Sequence, residues 1–107
     1  MSKDNVIIAE YMGGILYSDD IWKADSSRCS VAHMLDNVHN DELKFNSNWE
    51  WLMPVVEKLE SEGYELDIFS NCVEVSYGSD ESYIGEFVGE NKFKAVLNAC
   101  VNLINRQ

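Results

Sequence analysis

The chain has 107 residues, 46% of them hydrophobic and 11% aromatic, with eight basic against nineteen acidic side chains and a formal net charge of -11. That length suits one domain burying roughly 60–70% of the surface its unfolded form would expose, and the apolar content excludes intrinsic disorder in spite of the charge. The charge disfavours direct binding to DNA, RNA or an anionic membrane, which reward Lys and Arg with counterion release, and it points to a basic partner.

The first residues lack a basic stretch followed by an apolar core, and no apolar run approaches about 18 residues, so a cytoplasmic protein is expected. Cys29, Cys72 and Cys100 are odd in number and show no CxxC spacing, which fits reduced thiols.

In chain order, Asp4 is placed to cap a short helix through Tyr11, with Ile7, Ile8, Tyr11 and Met12 at helical spacing and Gly13-Gly14 ending it. Residues 15–24 alternate weakly, as a strand or a hairpin around Ser18-Asp19-Asp20. Residues 25–46 give conflicting signals. Val31, Met34, Leu35 and Val38 share one face of a helical turn or two, yet polar residues flank them, and a long irregular segment of this kind is a candidate binding element.

Ser47-Asn48-Trp49-Glu50 satisfies the S-x-x-E capping box. Trp49, Leu52, Met53, Val56 and Leu59 follow as the apolar stripe of a helix to about residue 62, with Trp49 in the core. Pro54, the chain's only proline, should remove a backbone donor and kink this helix, or mark its true start if residues 49–53 are only a turn. Residues 64–70 and 72–77 read as two strands joined at Ser70-Asn71, with Tyr64, Leu66, Ile68, Val73, Val75 and Tyr77 facing inward, and residues 83–88 as a third. Asn91 caps a last helix whose stripe is Phe93, Val96, Leu97, Cys100, Val101 and Ile104. The expected fold is α+β, a short antiparallel sheet of about three strands packed with three helices as a layered sandwich in a single domain.

Between Lys58 and Lys92 stand nine acids and no Lys or Arg. Such a field speaks to partners and association rates. If Leu66 and Ile68 point inward, then Glu65, Asp67, Phe69 and Glu74 share the outer side, with residues i and i+2 about 6.6 Å apart. Asp80 and Glu81 extend the acidic stretch. Like charges this close cost stability, so they suit a partner surface; an ordinary solvated sheet face is the other reading.

Chemical motifs are sparse. No G-x-G-x-x-G, P-loop, H-E-x-x-H or G-x-S-x-G occurs, and neither a catalytic residue nor a cofactor is expected. Cys29, His33 and His39 lack a fourth zinc ligand, Asp19, Asp20 and Asp25 lack the calcium-loop order, and a Cys29–His33 or Cys29–His39 nucleophile pair lacks an orienting third group. Trp22, Trp49 and Trp51 are candidates to line a pocket for a planar ligand, and Trp22, Arg28, His33 and Trp51 form the alternative ligand site, though structural roles compete: Trp49 in the core with Trp51 covering a sheet edge is the simpler assignment.

Three stretches carry a resemblance: Ile8-Ala9-Glu10-Tyr11-Met12-Gly13, Ser47-Asn48-Trp49-Glu50-Trp51-Leu52-Met53-Pro54-Val55-Val56-Glu57-Lys58-Leu59, and Gly89-Glu90-Asn91-Lys92-Phe93-Lys94-Ala95-Val96. Over roughly two thirds of its length the chain resembles small hypothetical bacteriophage and prophage proteins grouped as the phage ABA-sandwich domain, and the W-x-x-L-M-P-V-V-E-K stretch is the most specific element. The resemblance implies a start helix, the Trp-containing helix, a short antiparallel sheet and a C-terminal helix layered together, and carries over no catalytic residues. Two functions follow as expectations. One is a phage-encoded inhibitor of a basic, nucleic-acid-binding host or defence protein, anti-CRISPR-like; the alternative is a small-ligand module or sponge for a nucleotide signal.

Overall fold

The computed structural model describes residues 3–18, 21–24, 35, 37–78 and 82–106. It is α+β, with three helices and two three-stranded antiparallel sheets among the described residues. The chain divides into two compact units, Met1–Pro54 and Val55–Gln107, and the division falls inside a helix.

In the first unit, helix α1 (Lys3–Tyr11) buries Ile8 and Ala9, with Met12 buried just beyond its end. Gly13, at φ 96, ends it in the left-handed conformation that glycine adopts most readily. Strands β1 (Gly14–Ser18) and β2 (Ile21–Ala24) pair as the expected hairpin, Leu16 opposite Trp22. The irregular segment adds a third strand, since β3 (Val38–His39) pairs with β2 and places Val38 opposite Trp22. This second sheet escaped the sequence because two residues are too few for a periodicity to show.

Trp22 is thus central and 0% exposed. A Cβ on Gly14 would lie 3.0 Å from the Ala9 carbonyl oxygen, 3.1 Å from the Trp22 ring and 3.2 Å from Leu35 Cδ1, so glycine lets this strand approach the tryptophan. After a 3-10 turn at Asn40–Glu42, Leu43 and Phe45 are buried. The turn is held locally, the Glu42 carboxylate accepting from His39 N–H at 3.1 Å and His39 Nδ1 from Asp41 N–H at 3.2 Å. The buried Asn5 amide donates to the Leu43 carbonyl at 3.0 Å and to Asn46 Oδ1 at 3.1 Å, and its oxygen accepts from Asn46 N–H at 2.9 Å. The later part of residues 25–46 therefore contributes Leu35, Leu43 and Phe45 to the core. Residues 25–34 and 36 lie outside the described residues.

Helix α2 (Trp49–Ser61) starts one residue away from the capping box. Its cap is Asn48, whose Oδ1 accepts from Glu50 N–H at 2.7 Å, in place of Ser47. The buried stripe is Leu52, Val55, Val56 and Leu59, while Trp49 and Met53 are 39% and 38% exposed. The observed stripe is rotated away from Trp49 and Met53 and takes in Val55 instead. The helix continues through Pro54.

The second unit holds strands β4 (Tyr64–Ile68), β5 (Cys72–Tyr77) and β6 (Ser82–Val88) in that spatial order, close to the expected bounds. Leu66, Val73 and Val75 are buried, and helix α3 (Lys92–Asn105) packs on β5 and β6. Ile68 and Tyr77 were expected inward but are exposed. Tyr77 meets Tyr64 in a tilted ring contact at 4.8 Å and 56°, over Gly63. Asn91 caps α3, accepting from Lys94 N–H at 2.9 Å. The buried face of α3 is Ala95, Val96, Leu97, Ala99, Cys100 and Leu103, so Phe93, Val101 and Ile104 flank the stripe rather than fill it. Gly89 allows the entry, since a Cβ there would fall 2.4 Å from Ala95 N.

Candidate interaction surface

The site is set by the register of β4, β5 and β6. The turn at Ser70-Asn71 brings Phe69 N–H to the Cys72 carbonyl at 2.8 Å, and Ile68 then faces Val73 and Leu66 faces Val75 on the buried side. Alternation sends Glu65, Asp67, Cys72, Glu74 and Ser76 to the other side. Asp67 is directly opposite Glu74, and Glu74 directly opposite Glu86. Three carboxylates therefore form one row across the strands, and Glu65, two residues along β4 from Asp67, adds a fourth. Cys72 opposite Val88, beside Phe69, makes a more apolar row at one end.

The third row depends on an irregularity. Gly85 pairs with Val75 and Tyr83 with the adjacent Ser76, leaving Ile84 as the extra residue of a bulge. Without it, Tyr83 and Glu86, three residues apart, would lie on opposite faces; the bulge turns Tyr83 onto the acidic face. Tyr83 is 65% exposed. The phenol's pKa is raised above its ordinary value, first by partial loss of hydration, then by the Glu74 and Glu86 charges and by Cys72. The Cys72 thiol is raised likewise, by loss of hydration, by its hydrogen bond to Glu86 and by the Glu86 and Glu74 charges. Both shifts favour the neutral, protonated forms. Burial pushes Cys100 up to about 12.

Of the residues expected to meet a partner, Glu65 and Asp67 are exposed, Phe69 is 51% exposed and Glu74 is half-buried in the middle of the row. Asp80 and Glu81 lie outside the described residues. Tyr83, Glu86, Cys72 and Val88 were missed: cross-strand register assembles them, and the bulge hides Tyr83 from simple alternation. The alternative ligand site loses a member. Trp22 has no exposed ring face to offer a ligand, because it fills the first unit's core. Trp51 is half-buried and meets Phe45 edge-on at 5.0 Å and 83°, a packing role. Arg28 and His33 lie outside the described residues, as do Cys29 and Asp19, Asp20 and Asp25.

Among the described residues no group of three or more His, Cys, Asp and Glu side chains is placed to hold a metal ion, and no helix is long and apolar enough to cross a membrane. No protein-family profile, curated protein or solved structure matches the chain.

Proposed function

We propose that this chain is a non-enzymatic acidic interaction protein that binds and inhibits a basic, nucleic-acid-binding protein. The observation that carries the reading is the cross-strand row Asp67, Glu74 and Glu86, with Glu65 beside it, on an open sheet face. Like charges directly opposite one another destabilise a sheet, whereas a basic groove that otherwise holds phosphates would stabilise them. Phe69, largely exposed at the edge of this row, supplies an apolar anchor of the kind that slows dissociation. The resemblance to the phage ABA-sandwich group extends the proposal to a phage origin, a layered sandwich and a host or defence target in the host cytoplasm, with inhibition of the anti-CRISPR type.

The test is capture from bacterial lysate by the wild-type chain and by a Glu65→Gln, Asp67→Asn, Glu74→Gln variant. Basic nucleic-acid-binding proteins, held by the wild type, released by added duplex DNA and lost in the variant, support the reading. Equal capture by both chains, or capture that DNA leaves unchanged, removes it.

A further inference from the structure

An exposed aromatic ring on an acidic surface has no folding role to explain it. Tyr83 is the most exposed large apolar side chain among the described residues, and it reaches this face only through the bulge at Ile84. Around it stand Ser76 on the neighbouring strand and the carboxylates whose charges act on its phenol, Glu74 and Glu86. A flat π surface beside two carboxylates is the chemistry that separates the two basic side chains. A guanidinium is planar and weakly hydrated, so it stacks on the ring while its remaining N–H groups reach the carboxylates, whereas an ammonium is a compact, strongly hydrated point charge. The occupant's sign follows from charge complementarity, since no Lys or Arg stands between Lys58 and Lys92.

We infer that Tyr83, with Glu74 and Glu86, is an arginine-selective point on this face, and that the segment docking there is arginine-rich rather than lysine-rich. This rests on the reading of the face as a partner surface. It goes further in naming the residue that selects between cations of equal charge.

The probes are hepta-arginine and hepta-lysine peptides, titrated into the full chain at low salt by calorimetry, with amide chemical shifts to locate the contact. The arginine peptide is expected to bind roughly three- to fivefold more tightly and to shift the signals of Tyr83, Glu74 and Glu86. Tyr83→Leu should abolish the preference by lowering arginine-peptide affinity more than lysine-peptide affinity, and Tyr83→Phe should keep it. Equal affinities in the wild type, or a preference that survives Tyr83→Leu, overturn the inference while leaving an acidic partner face intact. Failure of both peptides to shift signals on this face removes the inference and the underlying reading together.

Discussion

The two sheets have different central strands. In the first unit β2 carries Trp22, fully enclosed and flanked by Leu16 and Val38 across the strands, while Asn5 ties the segment after β3 to helix α1. In the second unit β5 alternates cleanly, Val73 and Val75 inward, Cys72, Glu74 and Ser76 outward. One sheet centres on a large buried aromatic, in a unit where Asn5 makes long-range polar ties to Leu43 and Asn46; the other buries a single face and leaves the second to charge. A residue's contribution to the core therefore does not follow from its aromaticity: Trp22 and Tyr83 are both strand aromatics, one fully buried and the other largely exposed.

The sharpest way to break this contrast is Trp22→Ala. It should cost about 3–5 kcal/mol, measured by urea unfolding, because the cavity left is larger than the surroundings can close. A loss below about 1 kcal/mol would mean that Trp22 is not the centre of its unit. Tyr83→Ala should leave the unfolding midpoint unchanged.

Asn5→Ala comes next. It strands the Asn46 N–H and the Leu43 carbonyl away from their partner, so a loss of about 1–3 kcal/mol is expected, with faster hydrogen exchange at Asn46 than at amides of the second unit. Unchanged exchange at Asn46 would show that the tie does not hold the segment.

In the second unit, Asn91→Ala removes the α3 cap and should cost about 1 kcal/mol, whereas Asn91→Ser should recover most of it. Thermal melts of the two variants decide the point, and equal losses would refute capping as the cause.

The smallest effect is expected on the acidic face. Glu65→Gln, Asp67→Asn and Glu74→Gln together should raise stability by about 0.2–1 kcal/mol at low salt, through relief of repulsion along the row, and the gain should shrink at high salt where charges are screened over about 8 Å. A stability loss instead would mean that the carboxylates hold the sheet together.

Much was legible in the sequence because the physics there is local. The α3 cap at Asn91, the helix stop at Gly13, the hairpin turn at Ser70-Asn71 and the three strands of the second unit follow from capping chemistry, turn residues and period-2 alternation, each confined to a few neighbouring residues. The acidic outer side of β4 and β5 followed from the same alternation. Tertiary structure alone decided the rest. Whether Trp22 is a ligand platform or a core residue depends on Leu35 and Val38, more than ten residues away in sequence. Whether Ser47 or Asn48 caps α2, and which side of that helix turns inward, depends on packing that outweighs the preference for burying Trp49. The pairing of Asp67, Glu74 and Glu86 is a property of register, and Tyr83 joins them because one extra residue in β6 reverses the face to which it points; no count of spacing within a single strand contains that reversal.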